Sequence, residues 1–124
     1  PYQDFDDLPY TLTCADIAVV SISFNADSLI APSKLYGHLA AGSPIAVIAP
    51  FNSYLENLVN DNKFGKSFLN GDSYSLKKWI IELIKNNNLK NNFESNSREF
   101  ITKNCSEELI TSKYYEVINQ IFNL

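Results

Sequence analysis

Histidine occurs once, at position 38, cysteine twice, and methionine nowhere in the 124 residues. One histidine and scattered carboxylates leave no acidic-plus-histidine cluster with metal-ligand spacing. Cys14 and Cys105 stand far apart in sequence, with no metal-binding spacing and no catalytic neighbour. A reduced, cytoplasmic chain is the simplest account of that usage. Asn104-Cys105-Ser106 has the form of a glycosylation sequon, but no signal-peptide pattern stands in these residues, so it carries no weight. A basic stripe is also lacking: the formal charge is -4 and the lysines are scattered, which argues against nucleic-acid binding. No apolar run approaches the length needed to span a membrane. The absence of methionine, with a start at Pro1 inside a loop-like stretch, leads us to expect a piece of a longer polypeptide.

What is present is globular. Apolar residues make up 45% and aromatics 13% of the chain, enough for the core of one domain. Asp6, Asp7, Leu8 and Pro9 open a short helix, with acidic residues and proline suited to its first turn. Residues 17–22 are nearly continuous in β-branched and apolar side chains and predict a parallel strand buried on both faces. A loop from Ser23 to Ala31 follows, then a helix from Pro32 to Ala41 stopped by Gly42 and Pro44. Residues 45–49 predict a second buried strand and residues 65–69 a third, with helical spacing of Leu55, Leu58 and Val59 between them. Asn70-Gly71-Asp72 is a turn signal. Beyond it Leu76, Trp79, Ile80, Leu83 and Ile84 form one amphipathic face. An asparagine-rich break at residues 86–88 precedes a weaker helix around residues 93–103. Ser106-Glu107-Glu108 caps a last helix carrying Leu109, Tyr114, Val117, Ile118, Ile121 and Phe122. The order predicts an α/β fold: a three-stranded parallel sheet, flanking helices and a helical C-terminal tail, half of an open doubly wound sheet. No internal repeat is found.

The segment from Ala31 to Pro44 carries the most chemistry. A strand, a loop and a helix begun by Pro-Ser set free backbone N–H groups and the positive end of a helix dipole toward a ligand, which suits a phosphate. Lys34 at the helix start opposes that dipole, and an anionic partner would repair the mismatch. Ser33 is equally read as a helix-capping residue. Gly37 inside a helix costs about 1 kcal/mol against alanine, and close approach of a ligand or of a neighbouring element explains it. His38 reads as a packing or surface residue rather than a catalyst. Trp79 and the Tyr114-Tyr115 pair read as core or domain-packing residues, and Lys77 and Lys78 as a solvated face.

In order along the chain, Leu8-Pro9-Tyr10 leads to Ala15-Asp16-Ile17-Ala18-Val19-Val20. Pro32-Ser33-Lys34-Leu35-Tyr36-Gly37 then runs into Ala40-Ala41-Gly42-Ser43-Pro44. Gly71-Asp72 precedes Leu76, and Arg98 precedes Phe100 near the end. This ordered set resembles the second half of the C-terminal, nucleotide-binding domain of GT-B glycosyltransferases (glycosyl transferases group 1), closest to bacterial enzymes of exopolysaccharide and colanic-acid type.

That resemblance implies a Rossmann-like half-domain over residues 1–124. Its parent would be a retaining transferase moving a sugar from a nucleotide-sugar to a polysaccharide or lipid-linked acceptor, cytoplasmic or peripheral at the inner membrane. It implies that Ser33, Lys34 and Leu35 bind the donor diphosphate through their amides. Ser23, Asp27, Gly37 and His38 would lie toward the nucleoside and sugar. No cofactor or metal is expected, and no catalytic residue falls within this half. Many relatives carry two glutamates flanking the loop; the corresponding positions here are Leu29 and Gly37, which leaves ribose recognition unassigned. Two other readings stand beside it: a non-catalytic α/β interaction module of receiver or flavodoxin type, and a GT-B sugar-nucleotide epimerase. The expected partners are a nucleotide-sugar and the parent's N-terminal domain, together with a second copy pairing through strand 17–22, an apolar edge.

Overall fold

The computed structural model describes residues 4–26 and 30–122. A single 3-10 turn at Phe5–Asp7 leads into α1 (Leu8–Thr13), β1 (Ala18–Ser21), α2 (Lys34–Ala41), β2 (Ile45–Ile48), α3 (Tyr54–Asn62) and β3 (Gly65–Phe68). Three helices complete the chain: α4 (Ser73–Lys85), α5 (Asn87–Asn104) and α6 (Glu107–Phe122). The strands form one parallel sheet in the order β1-β2-β3, with Ala18 opposite Ile45 and Ile45 opposite Gly65. Fold class and element order are those expected from the sequence.

Period-two alternation divides the sheet's side chains between two layers. On one face Ala18, Val20, Ile22, Ile45, Val47 and Ala49 pack against Leu35 and Leu39 of α2, Leu55 and Val59 of α3, and Phe64. On the other, Ala46 and Phe68 meet Trp79 and Leu83 of α4. Aromatic pairs extend both layers into α5. Phe64 meets Phe100 edge-on at 5.4 Å, and Trp79 lies between Phe68 at 5.6 Å and Phe93 at 5.9 Å. Offset and edge-on pairs of this kind add to simple burial. Across the foot of the sheet, Ser97 in α5 donates its hydroxyl to the Ser43 carbonyl, and the Asn96 amide donates to the Lys63 carbonyl. One helix thereby ties the starts of β2 and β3 together.

Three local expectations change. First, β1 is not buried on both faces: its burial alternates, and Val19 is 57% exposed. The reason is topological, since β1 is an outer strand whose second face α4 does not reach. Second, the asparagine break is a single residue. Asn86 accepts the Leu89 N–H on its side chain and caps α5, so Asn87 and Asn88 already belong to an 18-residue helix. An N-cap converts a helix-poor residue into a helix start. Third, of the two readings of Tyr114 and Tyr115, core or domain-packing, the core reading falls: α6 buries no side chain, and both rings lie in solvent. Elsewhere the expected termini hold. Gly42 ends α2 in the left-handed region at φ 83, Asp72 caps α4, and Ser106 Oγ accepts the Leu109 N–H at the start of α6.

Candidate functional site

In an open parallel sheet, ligands gather beyond the carboxyl ends of the strands, where the following helices begin. Here that edge is built by the residues after Ser21, Ile48 and Phe68 and by the first turns of α2, α3 and α4. The three loops are fixed by specific bonds. The Asn70 amide donates to the Ile22 carbonyl at 3.1 Å, linking the loop after β3 to the end of β1. After β2 the Ser53 N–H returns to the Pro50 carbonyl, and Asn52 takes a positive φ of 59. Ser53 then caps α3 by accepting the Glu56 N–H, while the Glu56 carboxylate accepts the Asn52 N–H. This reciprocal arrangement is a capping box shifted by one residue. The turn presents Phe51 to solvent at 79% exposure, with Phe24 after β1 and Tyr54 at the start of α3 also exposed.

The start of α2 is tight. The Leu35 N–H donates to the Pro32 carbonyl and the Tyr36 N–H to the Ser33 carbonyl. Ser33 already has helical backbone angles, and its hydroxyl makes no capping bond. The opening amides without an assigned acceptor among the described residues are therefore those of Ser33 and Lys34. Leu35 contributes its side chain to the core instead, at 1% exposure. The Lys34 side chain is exposed and forms no ion pair with a described residue. Burial first, and the neighbouring Tyr54 hydroxyl second, push the Tyr36 phenol above its ordinary value.

The remaining candidates spread away from this point. Ser23 lies exposed just past β1, on the same edge. Asp27 falls outside the described residues, as does Leu29. Gly37 turns toward α1, where a Cβ would stand 3.4 Å from Leu12 Cδ1, an ordinary contact, so helix packing lies close without requiring glycine. His38 is half-buried, one turn beyond Lys34, and its Nδ1 is buried without a hydrogen-bond partner among the described residues. Burial first, and the Lys34 charge second, hold its imidazole below the ordinary value, so the neutral form is favoured. Ser23, just past β1, and Ser33 and Lys34, at the start of α2, are thus exposed, whereas Leu35, Gly37 and His38 lie in packing surroundings.

Sequence reasoning missed the Asn70 strap and the Phe51 turn. The strap joins residues 48 apart and left no local signal. Ser53-x-x-Glu56 was a readable capping signature for the turn. Among the described residues no group of histidine, cysteine, aspartate or glutamate side chains is placed to hold a metal ion. No described helix is long and apolar enough to cross a membrane. No protein-family model, curated protein or solved structure gives a significant match to this chain.

Proposed function

We propose that the carboxyl edge of the sheet binds the diphosphate of a nucleotide-sugar, as the donor-binding part of a glycosyltransferase that extends a polysaccharide or lipid-linked glycan. The observation that carries this reading is the exposed Lys34 at the start of α2, which forms no ion pair with any described residue. A cation opposes the positive end of its own helix there unless an anion sits between them. The amides of Ser33 and Lys34 supply donors for that anion, and Ser23 stands on the same edge. During transfer, charge accumulates on the diphosphate as the glycosidic bond breaks. A fixed dipole and cation stabilise that charge more than they stabilise the ground state. The protonation machinery and the acceptor site would belong to the N-terminal domain of a parent enzyme. A sugar-nucleotide epimerase of the same architecture would use the same diphosphate cradle.

Titration of the isotope-labelled protein with uridine diphosphate, guanosine diphosphate and inorganic pyrophosphate tests this. Amide shifts are expected at Ser33, Lys34 and Ser23, and Lys34→Ala should weaken binding about tenfold, as for loss of one charge-assisted contact. Shifts confined to residues far from this edge, or unchanged binding by the alanine variant, would remove the assignment.

A second reading, a non-catalytic interaction module, is favoured by one observation. The whole length of α6 presents Ile118, Ile121 and Phe122 to solvent beside Tyr114, Tyr115 and Val117. Patches of that kind mark contact surfaces. The partner implied at β1 is another strand.

A further inference from the structure

The two edges of the sheet are chemically unlike. At β3, Lys66 stands exposed on the outer strand, a charge that discourages further strand addition. At β1 nothing comparable guards the strand among the described residues. The Ala18 N–H donates to the Pro44 carbonyl at 2.9 Å and the Ile22 N–H to the Ile48 carbonyl at 3.0 Å. Even-numbered residues therefore face β2, and the N–H and C=O groups of Val19 and Ser21 point away from the sheet. Both side chains are exposed, and neither is charged. Beside this edge, on the α4 face, opens a cavity of about 550 Å³ walled by Ile17, Ile80, Leu83 and Ile84, with Asp16 and Lys90 at its rim. Those two rim charges pair with each other at 2.6 Å, so the groove presents no unbalanced charge to an incoming strand.

We propose that β1 pairs antiparallel with β1 of a second copy, joining two three-stranded sheets into one. The unpaired groups specify a strand, rather than a helix or a small molecule, as occupant. A second copy satisfies the pattern because the edge complements itself. With Val19 opposite Ser21 of the other copy, and Ser21 opposite its Val19, each pair exchanges both of its outward hydrogen bonds. No like charges are opposed in that register. Addition of β1 onto the β3 edge of a neighbour would meet Lys66 and would propagate without end. The two-fold arrangement uses the unguarded edge of each copy and closes. On the α4 face it brings the exposed Ile84 of each copy toward the axis, covering apolar surface that one copy leaves in water. This proposal does not rest on nucleotide binding; in a parent whose own sheet continued past β1, that further strand would take this edge in place of a second copy.

Sedimentation velocity over a concentration series is the test. The protein should shift reversibly from monomer to dimer, and Val19→Lys should raise the dissociation constant at least about tenfold. Ser21→Lys is the second variant, and Val19→Thr, which keeps β-branching and adds no charge, should still dimerise. Circular dichroism confirms that each variant folds. A monomer at every concentration overturns the proposal. So does a dimer that survives both lysine variants, or one that Ile118→Glu on α6 dissolves while Val19→Lys leaves it intact.

Discussion

Asn70 lies past the end of β3, yet its Nδ2–H group bonds the carbonyl of Ile22 at the end of β1, 3.1 Å away. Since β2 lies between those strands, this side chain spans the carboxyl edge and links the loop after β3 to the end of β1. The bond joins a half-exposed edge to a strand with no neighbour on its other side. Asn70→Ala should cost about 1 kcal/mol, the usual net worth of such a hydrogen bond. Asn70→Asp should cost more, because it sets a carboxylate oxygen against the carbonyl. Urea unfolding followed through the buried Trp79 measures both, since Trp79 is the sole tryptophan and lies in the core.

Long-range bonds of that kind mark where the sequence stops being readable. Strand and helix order was legible because the apolar periods of residues 45–48 and of α4 agree with their local propensities. The caps at Gly42 and Ser106 were legible for the same local reason, whereas Asp72 was legible only as part of a turn. The open face of β1 was not, because Val19 carries the same side chain whether or not another element covers it. Nor was the direction of Gly37: its spacing in the helix says only that something comes close, and Leu12, 25 positions earlier in the chain, is that neighbour. The anion-site reading rested on Ser33, Lys34 and Leu35 together. The tight first turn of α2 then spends the Leu35 N–H on Pro32, a detail that depends on backbone angles no composition encodes.

Two glycines should respond oppositely to alanine. At Gly65 a Cβ would collide with the backbone carbonyl of Ile45, its register partner on β2, and backbone there has nowhere to move. Gly65→Ala should therefore destabilise by about 3 kcal/mol or more, at the top of the range for overpacked cores. At Gly37 the same methyl would meet Leu12 Cδ1 at 3.4 Å, an ordinary contact within a helix. Gly37→Ala should stabilise the fold by up to about 1 kcal/mol through helix propensity alone. Paired thermal melts of the two variants check the contrast.

Stability should also depend on pH through His38. Its folded-state pKa lies below the ordinary 6.5, from burial first and the Lys34 charge second. Between the folded and unfolded values the unfolded chain binds more protons, so stability rises with pH across that window. The contribution is complete above about 6.5 and is lost as the pH falls toward the folded value. His38→Gln should flatten this slope between about pH 5 and pH 6.5. Asp16 and Glu99, held below their ordinary values by Lys90 and Lys103, act at lower pH and leave that window to His38. Urea midpoints at half-unit pH steps, for the parent and the variant, resolve the difference; equal slopes would exclude His38 as the source.

The last helix should prove nearly dispensable for the fold and decisive for what the surface adsorbs. In α6, Ile110, Tyr114, Val117 and Ile121 recur at alternating four- and three-residue spacing, and Ile118 and Phe122 widen the same stripe. In an ordinary surface helix that stripe would face the core. Here the helix buries no residue, and all six side chains are exposed. Packing onto the domain therefore contributes little to its stability, and ending the chain after Ser106 should change the unfolding free energy by less than about 1 kcal/mol. The Phe64–Phe100 and Trp79–Phe93 contacts, which lie before α6, are retained in that truncation. Binding of a hydrophobic dye should drop at the same time, because the largest run of exposed apolar side chains is gone. A loss of several kcal/mol would instead show that α6 packs against the domain in solution, and unchanged dye binding would place the sticky surface at Phe24 and Phe51.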